Sequence, residues 1–198
     1  MIRGDYKKGF TLIEMMVVLA LIAIIVTLST PLSNVYRQNQ VATQVHEFVS
    51  TLNMARNEAV SRGASVSICI PVAGVDAQGN PITVCDTSGT ASQNWANGWI
   101  VFVDSNANCT IDTNADPALD DTVISQHNAM PNGFTFQSAA NNCINYNAQG
   151  ITPVTNGMWT LNDPSGMNAF IRGINISLSG RVQVHDCQNN THINLSCP

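Results

Sequence analysis

Apolar residues form one long run near the start of the chain and recur at helical intervals after it. Residues 10–28 read FTLIEMMVVLALIAIIVTL, in which Glu14 is the single charged residue. As a helix this run would be about 28 Å long, close to the hydrocarbon thickness of a bilayer. The pattern predicts a helix over residues 10–30 that spans a membrane or lies in the core of a filament.

Residues 31–62 predict an amphipathic stem helix. Its apolar side chains recur at steps of three and four positions, which places them on one helix face: Val41, Val45, Phe48, Leu52, Ala55 and Ala59. Four polar residues fall off this stripe: Gln44, Glu47, Asn53 and Glu58. Pro31 predicts a bend or loosened hydrogen bonding within the long helix, and Gly63 predicts its end.

Residues 63–198 predict a β-rich head, because the apolar period shortens and clusters of Gly, Pro, Asn and Asp separate short runs. Strands are predicted at residues 66–70, 99–104, 122–125, 134–137, 159–161, 171–177 and 182–185. The alternation within 171–178 places Ile174, Ile176 and Leu178 on an apolar face of a half-buried strand. The fold class is therefore α+β, with a long N-terminal helix packed on an antiparallel β-sheet.

The head is acidic and contains every cysteine of the chain. After Gly63 there are two arginines against nine aspartates, a net charge of −7 with histidine neutral. An even cysteine count in an exported domain favours disulfides over buried free thiols. A metal site has less support, because the sequence contains no CxxC spacing. The simplest pairing joins neighbours: Cys69 with Cys85, Cys109 with Cys143, and Cys187 with Cys197.

The polar leader before the apolar run reads MIRGDYKKG, residues 1–9. Its basic residues predict a cytoplasmic N-terminus and a head in the periplasm or beyond. Cleavage after Gly9 would keep the apolar run on the mature protein and create a new amine at Phe10. A carboxylate at membrane depth costs several kcal/mol without a partner, so Glu14 is either a glutamate that snorkels towards the cytoplasmic face or the partner of such an amine on a neighbouring subunit.

These residues carry a resemblance to a known family. The segment KKGFTLIEMMVVLALIAII resembles the type III leader and N-terminal helix of type IV pilins and of the pseudopilins of type II secretion. The resemblance implies cleavage after Gly9 by prepilin peptidase, methylation of the Phe10 amine, and pairing of Glu14 with a neighbouring subunit during assembly. Pro31 is similar to the helix-kinking proline of many such subunits.

A second resemblance narrows the group. LNMARNEAVSRGASVSIC (52–69) and WANGWIVFVDSNAN (95–108) resemble the H-type pseudopilin and FimU/FimT minor-pilin group. It implies a minor pilin at or near the tip of a type IV pilus that helps prime assembly with other minor pilins and the major pilin. The alternatives are an H-type pseudopilin of type II secretion and a DNA-binding minor pilin for natural transformation. The implied location is the inner membrane, single-pass, then the pilus at the cell surface.

Other candidate chemistry is weaker. Asp104, Asn106, Asn108 and Asp112 alternate oxygen side chains as in a calcium loop, but Cys109 and Ala115 occupy the positions of the required glycine and glutamate, which favours an Asn/Asp turn. Arg181 lies in GRVQ, which resembles a DNA-binding GRxR motif with Gln183 in place of its second arginine. The acidic head argues against nucleic acid as a partner. We expect no enzyme activity, metal or cofactor, and we expect Trp95, Trp99 and Trp159 to be core or loop anchors.

Overall fold

The computed structural model describes the backbone of residues 9–75, 81–86, 94–112, 121–131, 133–138, 142–153, 157–164 and 171–187; the side chains of 28–34, 73, 75, 81 and 82 lie outside the description. Leader residues 1–8 and Cys197 also fall outside it. The chain forms two units, Met1–Asn39 and Gln40–Pro198. Helix α1 spans Leu12–Arg62 and contributes residues to both.

Helix α1 covers most of the two predicted helical segments, and both of its ends have identifiable signals. At its start, the Thr11 hydroxyl accepts a hydrogen bond from the Glu14 N–H at 3.3 Å, as an N-cap residue does. At its end, Gly63 takes φ +62°, and the Ala64 N–H donates to the Ala59 carbonyl. This is a Schellman-type stop, so the predicted role of Gly63 is confirmed.

The unit Gln40–Pro198 contains ten described strands in three antiparallel sheets. The strands are β1 Val66–Cys69, β2 Pro71–Val75, β3 Pro81–Cys85, β4 Trp99–Val103, β5 Thr122–His127, β6 Thr135–Ser138, β7 Cys143–Tyr146, β8 Gly157–Asn162, β9 Arg172–Ile176 and β10 Val182–Asp186. The first sheet has the order β5-β4-β1-β7, the second β10-β9-β8-β6, and β2 pairs with β3 as a hairpin. A short 3₁₀ turn, Trp95–Asn97, precedes β4.

All seven predicted strands are present, although several end one or two residues from their predicted limits. Strands β2, β3 and β7 were not predicted. The hairpin β2–β3 is short and begins at prolines, which normally mark strand edges or turns. Strand β9 ends at Ile176, and the chain then turns at Leu178, so the prediction that Leu178 lies on a buried face is wrong.

The apolar stripe of helix α1 forms one wall of the main core. All six predicted stripe residues, from Val41 to Ala59, are buried. Phe48 lies at the centre, with ring centroids 4.7 Å from Phe136, 5.1 Å from Trp99 and 5.5 Å from Trp95. All three tryptophans are buried, which confirms their prediction as core anchors. Gln44 is also buried, contrary to its predicted place off the stripe.

The two central strands of the first sheet, β1 and β4, are buried on both faces. The helix-facing side of this sheet adds residues such as Val66 and Ile68 to the main core, while Cys69, Ile100 and Phe102 form a second cluster on the opposite side. Two disulfides fix that second side: Cys69–Cys85 closes the base of the β2–β3 hairpin, and Cys109–Cys143 fastens the loop after β4 to β7.

Those two bridges are two of the three predicted pairs and confirm them. Cys187 is also disulfide-bonded. Its predicted partner, Cys197, lies outside the described residues.

Candidate functional site: the start of helix α1

The first turn of helix α1 holds the predicted assembly residue Glu14. The sequence Thr11-Leu12-Ile13-Glu14 has the T-x-x-E spacing of a capping box, and the Thr11 hydroxyl forms the first of its two hydrogen bonds. A carboxylate in a first turn is stabilised by the partial positive charge of the helix N-terminus. Glu14 is exposed in the single chain, so its side chain is available to a group outside this chain.

The predicted cleavage site lies immediately before this turn. Gly9 and Phe10 are exposed and precede the first helical residue. A Cβ added at Gly9 would meet nothing within 4 Å, so the fold itself places no steric demand for glycine there.

The N-terminal part of helix α1 exposes apolar side chains all around its surface. We call this segment, residues 12–26, the apolar helix segment. Its large hydrophobic residues are 45–79% exposed: Leu12, Ile13, Met15, Met16, Val17, Val18, Leu19, Leu21, Ile22, Ile24, Ile25 and Val26. Covering this surface would contribute about 10–20 kcal/mol, at about 1.5–3 kcal/mol for a fully buried side chain and discounted for partial burial.

Within the part of the chain that the structure describes, no helix has the length and hydropathy of a membrane span. Helix α1 continues through Pro31, whose side chain lies outside the described ones. The membrane role of residues 10–30 therefore stays a prediction.

The remaining candidate residues belong to the unit Gln40–Pro198. Arg181 is exposed after the β9–β10 turn, where its N–H donates to the Ser177 hydroxyl. The loop after β4 forms an Asn/Asp turn around buried Asp104, whose carboxylate accepts from the Ser67 hydroxyl and from the N–H groups of Asn108 and Cys109. Among the described residues, no cluster of three or more His, Cys, Asp or Glu side chains is placed to hold a metal.

One contact of the head was missed by sequence reasoning. Arg56, on helix α1, donates from Nε to the Gly150 carbonyl and from Nη2 to the Ser179 carbonyl, both at 3.0 Å. It thereby ties the loop after β7 and the β9–β10 turn to the helix. Glycines in two separate loops were a signal for close backbone approach, but nothing in the sequence indicated that the loops meet at Arg56.

Comparisons with known proteins agree with this geometry. The family model described as type II transport protein GspH matches residues 44–180, and the prokaryotic N-terminal methylation motif matches residues 5–30. No curated protein sequence matches the chain. A crystal structure of the type IV minor pilin FimU of Pseudomonas aeruginosa strain PAO1 shares 19% identity with a TM-score of 0.51, covering 74% of this chain and 89% of that chain. A second crystal form of FimU gives a TM-score of 0.48 at 19% identity, covering 75% of this chain and 91% of that chain. The first likeness shows a shared fold.

Proposed function

We propose that this chain, which belongs to the type II transport protein GspH family, is a minor pilin that helps prime assembly of a type IV pilus and sits at or near its tip. The observation that carries the proposal is the apolar helix segment, which is exposed on all sides and has one carboxylate, that of Glu14, in its first turn. A surface of this kind needs an apolar environment outside the chain. A bilayer before assembly and neighbouring helices after it would supply that environment in turn.

The proposed processing follows from the exposed segment at residues 9–10. Prepilin peptidase would cleave after Gly9, and methylation would follow at the Phe10 amine. The match to the N-terminal methylation motif over residues 5–30 supports both steps. The mature chain would stay in the inner membrane through residues 10–30, with its stem, residues 31–62, and its head, residues 63–198, in the periplasm.

Glu14 would act by neutralising charge during assembly. The first turn of helix α1 presents its carboxylate to the outside, where the amine of Phe10 on another subunit can pair with it. An unpaired charge in an apolar environment costs several kcal/mol. The pairing would therefore favour a subunit that inserts beside a neighbour over a subunit that stays alone in the membrane. The function is one of assembly with other minor pilins and the major pilin, not catalysis.

A second candidate is an H-type minor pseudopilin of type II secretion. The description of the matching family favours it, since that family is named for type II transport. Both candidates use the apolar helix segment and Glu14 in the same way. A DNA-binding role has less support, because the single exposed Arg181 belongs to a head with a net charge of −7.

The test replaces Glu14 with alanine in the full-length chain expressed in its own cells. We expect Glu14→Ala to reach the membrane at the wild-type level and to abolish surface pili. Glu58→Ala is the matched control: it removes a glutamate of the same helix that pairs with Arg62 at 2.6 Å, and it should leave pili unchanged. Wild-type pilus levels in Glu14→Ala cells would refute the role given to this carboxylate.

A further inference from the structure

Three exposed aliphatic side chains occur where the end of helix α1 meets two loops of the head. Val60 is 53% exposed, Ile151 46% and Leu178 56%. A Cβ at Gly150 would lie 3.0 Å from a methyl group of Val60, so the loop before Ile151 runs directly over the helix. The Thr152 N–H donates to the Leu178 carbonyl at 3.2 Å, which joins the two loops. These residues, with Arg56 and Arg181, are called the junction patch.

The junction patch is held rigid from beneath. Arg56 hydrogen-bonds the carbonyls of Gly150 and Ser179, and a Cβ at Gly180 would lie 2.2 Å from the Gly150 carbonyl oxygen. Backbones approach this closely only because position 180 is glycine. A surface fixed in this way can bind without ordering its loops first, which lowers the entropic cost of association.

Charge distinguishes the junction patch from the rest of the head. Four arginines lie between Gln40 and the end of the chain. Two are paired, Arg62 with Glu58 at 2.6 Å and Arg172 with Asp186 at 3.1 Å. Within the described residues, the other two, Arg56 and Arg181, form no ion pair with a carboxylate, although the head is strongly acidic. Both belong to the junction patch, so its charge is complementary to an acidic surface.

We propose that the junction patch docks an acidic face, with aliphatic residues at its centre, of a different subunit in the same filament. This inference rests on the proposed function, because the filament is part of that proposal. Three aliphatic side chains cover much less than the roughly 1,000 Å² that an independent complex needs, so the contact serves partners that other contacts already hold together. A second copy fits less well, because a two-fold contact would place the same arginines against each other.

The test places a photoreactive benzoylphenylalanine at position 151 of the full-length chain in its own cells. We expect ultraviolet light to cross-link it to another filament subunit, identified by mass spectrometry. A Leu178→Asp change should lower that yield by about tenfold, since it removes the apolar area that docking would bury and places a carboxylate against an acidic partner. Arg181→Glu should lower it by about two- to fivefold, the range of an exposed ion pair, while Arg181→Lys keeps it. The matched control is Val184→Asp, which changes an aliphatic residue on β10 that is 47% exposed and should leave the yield unchanged.

Each outcome decides the proposal. No cross-link, a cross-link to a second copy or to nucleic acid, or equal losses in Leu178→Asp and Val184→Asp would overturn it. A cross-link to a subunit of a secretion filament would support the docking surface while refuting the pilus role, so the two failures are distinguishable. Immunoblotting of membranes for each variant shows that a lost cross-link does not come from a lost protein.

Discussion

The packing around Phe48 makes a quantitative prediction about the stability of the unit Gln40–Pro198. The Phe48 ring is fully buried, and its centroid lies within 4.7–5.5 Å of three aromatic rings in edge-to-face geometry. Truncating a buried phenylalanine to alanine costs about 3–5 kcal/mol, and each edge-to-face pair is worth about 0.5–1.5 kcal/mol beyond its buried area. Because these contributions overlap, we expect Phe48→Ala to lose about 5 kcal/mol.

The assay is urea and thermal unfolding of the full-length protein in detergent, followed by tryptophan fluorescence, because all three tryptophans are buried in the same core. A loss of about 5 kcal/mol corresponds to a fall in Tm of about 10–20 °C for a domain of this size. Phe48→Leu restores much of the volume without the ring and should lose about 1–2 kcal/mol. Val60→Ala, on the same helix but exposed, should lose less than about 0.5 kcal/mol. A loss below about 1 kcal/mol for Phe48→Ala would refute this description of the core.

Three further changes test separate parts of the head. Replacing Cys69 and Cys85 together with serine opens a loop of 16 residues and should lower the free energy of unfolding by about 3 kcal/mol, measured by urea titration; a loss under about 1 kcal/mol would contradict the role given to this bridge. Gly180→Ala should destabilise more than Gly63→Ala in thermal unfolding, because both have positive φ but only position 180 would place a Cβ against a carbonyl oxygen, at 2.2 Å; equal losses would count against the close approach. Hydrogen bonds, chiefly from asparagine side chains, lower the pKa of Asp112 below 3.8, so its contribution to stability is present above that pH and is lost as the pH falls through the lowered pKa. The Tm of Asp112→Asn should therefore depend less on pH below 3.8 than the wild-type Tm does, and identical profiles would contradict this.

The helix and its buried face could be predicted from sequence because both depend on local spacing. Six apolar residues at steps of three and four define a single helix face that can pack on a sheet, and Gly63 marks the end of the helix. The two described disulfides between neighbouring cysteines could also be predicted, since sequence proximity was the basis for choosing them. The start of the apolar run carried enough pattern to indicate where Gly9, Phe10 and Glu14 lie relative to the helix.

Long-range contacts could not be predicted from the same patterns. Leu178 continues the alternation of β9, but the strand ends at Ile176 and Leu178 is exposed in the turn that follows. Gln44 lies at a polar position of the helical pattern and is nevertheless buried. The turn that contains Leu178 is held by Arg56, a residue distant in sequence, and periodicity contains no information about such contacts.

The loop after β4 illustrates a different limit. Its alternating oxygen side chains fit either a cation site or a network of turns, and only Cys109 and Ala115, at the positions of the required glycine and glutamate, favoured the turn. The structure shows the carboxylate of Asp104 hydrogen-bonded to a hydroxyl and two N–H groups, which is the arrangement of an Asx-type turn. The spacing of the oxygen side chains alone is therefore ambiguous, and the residues at the two diagnostic positions gave the correct interpretation.

Deletion of the gene is the decisive experiment for the proposal that this chain primes assembly of a pilus. Surface pili would be sheared from the deleted cells and measured, with protein secretion scored in the same cultures and both restored by the intact gene. We expect the deleted cells to lose their pili while secretion persists. Normal pili in cells that lack the chain would contradict the proposal, and a simultaneous loss of secretion would assign the protein to the secretion filament instead.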